Sequence, residues 1–211
     1  MNIQLVLFDM DGVIFEGKNF WLDLHRHYRT LEKGVVFANK YLDNDYGQLA
    51  RLVAGNLWKG KSASVVHAMV KRRKYQPGIL EVFNFLHTNF ILSAIISSGP
   101  YELALRAQRD LRIAEVRANN LVVENELIQG EVEVMVPDAE KMRVGREVME
   151  EMGIHPSKVA FVGDSDSDIE LAKIVELPIA YNSESEALIK VCKVVLRYGE
   201  LGKLRDILQQ S

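Results

Sequence analysis

The sequence predicts an α/β fold in three layers: a mainly parallel sheet with helices on both faces, an inserted α-helical cap and a β-hairpin after the third strand. Three observations carry this prediction. Short runs rich in Val, Ile, Leu and Phe alternate with helical patterns along most of the chain. About sixty residues between the first two of these runs hold helical patterns only, and one later segment sets two β-rich runs around a short polar turn.

In chain order, IQLVLF at residues 3–8 reads as a buried strand and runs into Asp9-Met10-Asp11-Gly12. The next stretch contains FWLDLHRHYRTL, GQLARLVAGNLW and ASVVHAMVKRRK, apolar at helical spacing and too long in total for one crossover helix. The predicted division is therefore a catalytic core of residues 1–14 and 77–211 and a helical cap of residues 15–76. Within that cap, Phe20, Trp21 and Trp58 read as cap core, and Lys71-Arg72-Arg73-Lys74 as a basic helix end complementing its own dipole. His25 and His27 do not share a helix face, which argues against a metal pair.

ILEVFNFLHTN at 79–89 predicts a helix, FILSAIIS at 90–97 the second strand, and YELALRAQRDL at 101–111 another helix. NNLVVENELIQGEVEVMV at 119–136, broken at Glu124-Asn125-Glu126, predicts the hairpin. KMRVGREVMEEMGI at 141–154 is a helix with Gly153 and Pro156 as its stop signals. KVAFVG at 158–163 is the fourth strand, DIELAKIVE at 168–176 a helix, and LPIAY at 177–181 and VCKVVL at 191–196 the last strands. Strands separated by helices of this length need crossover connections, hence a parallel sheet.

Composition narrows the class. Hydrophobic residues at 48%, charged residues at 26% and a formal net charge of -3 describe a soluble globular protein without the positive charge of a nucleic-acid binder. A single cysteine, Cys192, allows no internal disulfide and no thiolate metal cluster, and reads as a small buried apolar residue. MNIQLVLFDMDG lacks the basic start and cleavage site of a signal peptide, and runs such as ILSAII are too short to span a bilayer. The expectation is a cytoplasmic protein with no membrane or nucleic-acid partner, as a monomer or homodimer.

In an open parallel sheet, ligands bind beyond the carboxyl ends of the strands. There the first strand delivers Asp9 and Asp11, the second Ser97, Ser98 and Gly99, and the fourth Asp164 to Asp168, while Lys141 opens the helix leading into the fourth. Crowded carboxylates repel one another unless a cation sits among them, and all-oxygen ligation selects a hard ion, Mg²⁺. Beside that ion one carboxylate can attack phosphorus, and a second, two residues on, can protonate a leaving oxygen. Ser97 and the amides after it suit phosphoryl oxygens, and Lys141 can neutralise charge on nucleophile and phosphate.

Several features have plainer readings. Asp164, Asp166 and Asp168 mimic the opening of a calcium loop, but Ile169 and Val175 stand where that loop needs Gly and Glu. Asp166 reads as a solvated loop residue, and Arg143 and Arg146 as solvent-facing. Arg51 is the cap's candidate contact to a substrate carboxylate, because guanidinium binds carboxylate bidentately.

The order of motifs, Asp-x-Asp-Gly at 9–12, Ser97, Lys141 and Gly-Asp-x-x-x-Asp at 163–168, resembles the haloacid dehalogenase superfamily of phosphohydrolases. The cap position, the strand pair and the 23-residue step from Lys141 to Asp164 resemble its phosphoserine phosphatases. The resemblance implies a Rossmann-like core and a Mg²⁺-dependent phosphatase working through an aspartyl phosphate. It implies Asp9 as nucleophile, Asp11 as acid and base, and Ser97, Ser98 and Lys141 as phosphate ligands. Asp9, the backbone carbonyl of Asp11 and Asp164 would hold the metal, with Asp168 in support.

The implied substrate is phosphoserine or a related small organic phosphate. A phosphoglycolate-type phosphatase or a sugar phosphomutase would share the cap and the catalytic residues. A signalling module carrying phosphate on Asp9 is the non-enzymatic alternative, against which Asp11 and the size of the cap argue. Departures from the phosphoserine phosphatase pattern fall in the region expected to choose substrate. Gly12-Val13-Ile14 replaces the usual Ser-Thr after the second aspartate, Glu16 is left as the candidate cap glutamate, and Ser97-Ser98-Gly99 replaces Ser-Gly-Gly.

Overall fold

The computed structural model describes residues 2–210. β1 (Leu5–Phe8) is followed by a helical segment: α1 (Phe20–His27), α2 (Leu31–Tyr41), α3 (Tyr46–Val53) and α4 (Ser64–Arg72), with one π-helical turn at Ala54–Trp58. Then come α5 (Ile79–Thr88), β2 (Leu92–Pro100), α6 (Tyr101–Leu111), β3 (Glu115–Glu124), β4 (Leu127–Glu133) and α7 (Lys141–Glu151). β5 (Val159–Gly163), α8 (Ile169–Ala172), β6 (Leu177–Tyr181), α9 (Glu186–Val191), β7 (Val194–Leu196) and α10 (Leu204–Gln209) complete the chain.

The strands form one seven-stranded sheet in the order β4-β3-β2-β1-β5-β6-β7, parallel except for the β3–β4 pair. β1 lies at its centre and is buried on both faces, which is why its sequence is a continuous apolar run rather than an alternating one. The period-2 geometry of a strand sends Val6 and Phe8 into one core layer and Leu5 and Leu7 into the other. On the first side Phe8 stacks on Phe83 of α5, with ring centroids 5.2 Å apart. On the second, Leu5 and Leu7 meet Val144, Val148 and Met149 of α7.

The structure differs from the sequence-based expectation in three places. The third strand and the first arm of the hairpin are one continuous strand: β3 pairs with β2 through its first half and with β4 through its second. Asn125 and Glu126 both take left-handed backbone, φ 49° and 63°, the twist that suits a two-residue hairpin turn. The helix expected at 168–176 is a 3₁₀ turn, Asp166–Asp168, followed by the single α-turn of α8. The strand expected at 191–196 begins only at Val194, because residues 186–191 form α9; Cys192 caps that helix half-buried instead of filling the core.

The helical segment enters and leaves the sheet layer side by side. Glu16 N–H donates to Lys74 O (2.8 Å) and Gln76 N–H to Ile14 O (2.9 Å), while Phe15 stacks on Tyr75. Its apolar residues Phe20, Leu24, Trp58, Val66 and Val70 belong to the same continuous cluster as Phe8 and Val82. The β3–β4 hairpin is also stitched to it, through Gly60 N–H to Ile128 O (2.8 Å) and Ile128 N–H to Lys61 O (3.0 Å).

Candidate active site

Register brings the polar residues together. Phe8 is aligned with Ile95 of β2 and Val162 of β5, so Asp9 stands level with Ile96 and Gly163, and Ser97 and Asp164 lie one residue further out. Asp9 N–H donates to Val162 O at 2.9 Å, which ties the strand end down. The crevice beyond this edge has a volume of about 290 Å³, with Asp9, Asp11, Ser97, Ser98, Lys141 and Asp164 all on its wall.

Lys141 is buried at the start of α7, with Nζ 2.7 Å from Asp168 Oδ1 and 3.1 Å from Asp9 Oδ1. Asp168 is saturated: Oδ2 accepts the N–H groups of Asp164 (2.9 Å) and Ser165 (3.1 Å) and the Ser165 hydroxyl (3.3 Å). Asp9 Oδ1 is the contrast, a buried oxygen that gains no well-directed hydrogen bond despite its nearness to the ammonium. Oxygens of Asp9, Asp164 and Asp168 lie within 4.8 Å of one another.

The energetics of this cluster are those of charge without enough solvent. Burial pushes the Asp9 carboxyl up to about 7, with Lys141 opposing and Asp168 and Asp11 adding to the rise. Burial, then the charges of Asp9 and Asp168, pushes Asp164 up to about 8. Burial alone would lower the Lys141 ammonium, but Asp168, Asp9 and Asp138 around it hold it well above its usual range. An orphaned carboxylate oxygen beside two further acids, with all-oxygen donors, fits a hard divalent cation. Gly12 leaves the room. Its φ is +82°, and a Cβ there would stand 2.2 Å from Asp164 Oδ2, so both backbone and space demand glycine.

Ser97 Oγ accepts Gly99 N–H at 3.1 Å, shaping the turn after β2. The Ser98 hydroxyl instead turns to Asp138 Oδ1 (2.8 Å), and its carbonyl accepts Trp21 Nε1–H (2.8 Å) and Asn119 Nδ2–H (3.0 Å). Asp11 faces the helical segment: Oδ2 accepts Phe20 N–H at 2.9 Å, and Oδ1 lies 3.2 Å from Arg73 Nη2. Arg73 in turn donates to Asp23 Oδ2 at 2.6 Å. Burial raises the Asp11 carboxyl, and the Phe20 amide and the Arg73 charge oppose that rise.

Some residues singled out in the sequence lie elsewhere. Glu16 is not on the wall of the crevice; its carboxylate accepts from Tyr198 OH at 3.1 Å. Arg51 is exposed on α3 and bonds Gln48, three residues back on the same helix. Val13 and Ile14 are fully buried core residues, so this departure from the phosphoserine phosphatase pattern does not face the crevice. Asp166 does border the crevice, but it is exposed and pairs with the Ser185 hydroxyl, as a solvated loop residue would, while Arg143 pairs with Glu140 and Glu147 on the surface. His25 is buried against Trp58 and bonds Thr30, and His27 is exposed.

Other residues of the site are not evident from the sequence. Trp21, assigned to the cap core, borders the crevice, and so do Asn19 and Asp138. Arg73, read as one of four basic residues at a helix end, is the one whose guanidinium turns inward to Asp11. Asn119, fully buried, bridges the turn after β2 to residues 135 and 136. The basic run carried a signal, but it did not distinguish Arg73 from its neighbours.

Comparison with known proteins gives a consistent picture. The family model for haloacid dehalogenase-like hydrolases matches residues 6–173. A curated phosphoserine phosphatase of Albidiferax ferrireducens is 24% identical over 216 residues, covering 99% of this chain and 90% of that protein. Among solved structures, an apo phosphoserine phosphatase superposes with a TM-score of 0.81 at 22% identity, covering 99% of this chain and 98% of that one. A phospho-aspartyl intermediate analogue of phosphoserine phosphatase gives 0.79 at 21% identity, with 100% and 99% covered. The hydrolase t0658 of Salmonella enterica serovar Typhi gives 0.86 at 14% identity, covering 100% of this chain and 73% of that one.

Proposed function

The chain belongs to the haloacid dehalogenase-like hydrolases, and from that premise we propose that it is a Mg²⁺-dependent phosphatase of small phosphomonoesters, working through an aspartyl phosphate on Asp9. The observation that carries this reading is the buried, underbonded Asp9 oxygen at a strand end, 3.1 Å from Lys141 and clustered with Asp164.

Asp9, Asp164 and the backbone carbonyl of Asp11 would hold the ion. When bound, it supplies positive charge that keeps both carboxylates ionised and offsets the charge of the phosphoryl group. Asp168 supports the site from behind, since its own oxygens are taken up by Lys141 and by the amides of Asp164 and Ser165.

Asp9 attacks phosphorus, a new O–P bond forms, and the bond to the leaving oxygen breaks as Asp11 hands that oxygen its proton. Asp11 then takes a proton from water. The water oxygen bonds to phosphorus, the Asp9–phosphorus bond breaks, and inorganic phosphate and free Asp9 are restored. Lys141 neutralises charge on Asp9 and on the phosphoryl oxygens, and Ser97 with the amides of the adjoining turn orients them. Residues 15–76 act as a cap that shields this chemistry from bulk water and meets the leaving group.

The test compares wild type with Asp9→Asn and Asp11→Asn on a panel of phosphomonoesters with Mg²⁺. Both variants are expected to lose at least about a hundredfold in kcat, and only Asp9→Asn to lose the acid-stable phosphoenzyme. Full turnover by Asp9→Asn rules the mechanism out.

A further inference from the structure

A second chamber lies beside the crevice, within the helical segment. Its volume is about 340 Å³, and it shares Asn19, Trp21, Ser98 and Asp138 with the crevice, so the two spaces adjoin and a leaving group directed past these four residues would enter it. Its wall is apolar, built from α1, α2, α3 and the π-helical turn, with Trp21, Leu49, Val53 and Trp58 among its side chains. Leu22, Val35 and Leu42, three of the exposed large apolar residues of the protein, also lie on this wall.

The charge of the wall is as telling as its apolarity. Among the described residues lining the chamber there is no Lys or Arg. Burial lowers the pKa of His25, whose ring bonds Thr30, and burial raises the Tyr46 hydroxyl to about 12, so both are neutral near pH 7. What remains is the acidic side chain of Asp138, which accepts the Ser98 hydroxyl at 2.8 Å. Lys18 borders the crevice but not the chamber and is paired with Glu184 at 2.7 Å. A carboxylate carried into this chamber would lose part of its hydration, would find no cation and would face Asp138, and the ammonium of an amino acid could pair with Asp138 only by bringing its carboxylate in with it. An uncharged apolar group would lose only unfavourable contact with water.

We propose that the chamber is a leaving-group site for uncharged, apolar alcohols, so that the preferred substrates are alkyl or aryl phosphomonoesters and not esters carrying a carboxylate, such as phosphoserine or phosphoglycolate. The proposal rests on the phosphatase reading above and narrows its substrate class. A volume of about 340 Å³ exceeds the ~150 Å³ of an apolar cavity that accepts benzene, so a hexyl or benzyl group has room.

The experiment measures kcat/KM with Mg²⁺ for n-alkyl phosphates from methyl to hexyl, for phosphoserine and for phosphoglycolate. A second readout titrates hexylphosphonate, methylphosphonate and phosphoserine against tryptophan fluorescence, which reports on the chamber because both tryptophans of the chain line it. The expected kcat/KM rises about fourfold per methylene, as for a CH₂ leaving water, and hexyl phosphate exceeds phosphoserine by at least about a hundredfold. Hexylphosphonate is expected to bind at least about tenfold more tightly than methylphosphonate.

Two variants address the wall itself. Ala50→Trp fills the chamber and is expected to collapse the hexyl-to-methyl ratio by at least about tenfold. Ala38→Lys, on the half-exposed face of α2, brings in a cation and is expected to shift preference toward phosphoglycolate. A flat alkyl series, or phosphoserine turned over faster than hexyl phosphate, overturns the proposal and leaves the phosphatase reading intact. Tight hexylphosphonate binding without turnover of any ester supports the chamber and overturns the phosphatase reading.

Discussion

Replacing Asp164 by Asn tests the electrostatics of the acidic cluster apart from catalysis. In the metal-free protein, burial pushes Asp9 up to about 7 and Asp164 up to about 8, from an ordinary value of 3.8. A carboxyl raised by folding binds its proton more tightly in the native state than in the unfolded chain. Between roughly pH 4 and pH 8 the native state therefore holds the extra protons, and stability falls as pH rises through that window. Each pH unit removes at most ~1.4 kcal/mol per group. Three units, from pH 5 to pH 8, bound the loss from Asp164 at ~4 kcal/mol. Burial, the larger cause, acts on Asp164 itself, while the Asp9 repulsion is shared by the pair, so about half of that bound, ~2 kcal/mol, is the least relief expected from the amide. For a chain of 211 residues this is roughly 4–8 °C in Tm. The assay is thermal unfolding by circular dichroism in chelator at pH 5 and pH 8. The two proteins are expected to differ least at pH 5, with Asp164→Asn melting roughly 4–8 °C higher at pH 8. Added Mg²⁺ at pH 8 should reverse the order, stabilising wild type and not the variant. A variant that melts lower than wild type at pH 8 in chelator, or by the same margin at both pH values, refutes the reasoning: Asp164 would then be ionised at no cost, and the cluster would not call for a cation.

Single contacts suggest two further perturbations. Arg73→Gln removes the charge 3.2 Å from Asp11 that opposes the effect of its burial, so the Asp11 carboxyl should rise further. In the proposed mechanism, protonation of the leaving group needs Asp11 in its acid form, so the alkaline limb of kcat/KM is expected to move to higher pH; a lower kcat with an unmoved limb would make Arg73 purely structural. Asn119→Leu strands partners at the Ser98 and Val136 carbonyls and at the Met135 and Val136 amides, all within 3.0 Å of its side chain. A loss of ~3 kcal/mol in urea unfolding is expected, and a loss under ~1 kcal/mol would show that these groups find other partners.

The sheet and the acidic cluster were legible in the sequence for one physical reason. A parallel strand buried on both faces is a continuous apolar run, and the residues just beyond its last apolar position must lie at the carboxyl edge of the sheet. Tracing each run to its end therefore locates Asp9, Ser97 and Asp164 without three-dimensional information. The errors have a shared cause too. Whether VCKVVL begins as helix or strand depends on α9 docking against α8, and whether β3 continues past its parallel partner depends on β4, neither of which is local. Among Lys71, Arg72, Arg73 and Lys74, only the end of α4 and the return of the chain beside Phe15 decide which side chain turns inward.

The same distinction bears on where substrate selection should be sought. Gly12-Val13-Ile14 stands out because it interrupts a family pattern, yet Gly12 is demanded by Asp164 and by its own φ, and Val13 and Ile14 are fully buried. That segment is constrained by packing under the site and does not line the crevice. The chamber is assembled from one face each of α1, α2 and α3, and a helix face of Trp, Leu and Val looks the same in sequence whether it meets another helix or an open cavity. Trp21 shows how little separates the two outcomes. It stacks toward Trp58 with centroids 5.9 Å apart, as a core residue would, and its Nε1–H reaches the Ser98 carbonyl at the lip of the crevice. An apolar side chain anchored by one polar bond to the turn after β2 joins the cavity behind it to the crevice in front, so on the proposed reading the selectivity of this enzyme should track the walls of the chamber more closely than the motif that departs from its relatives.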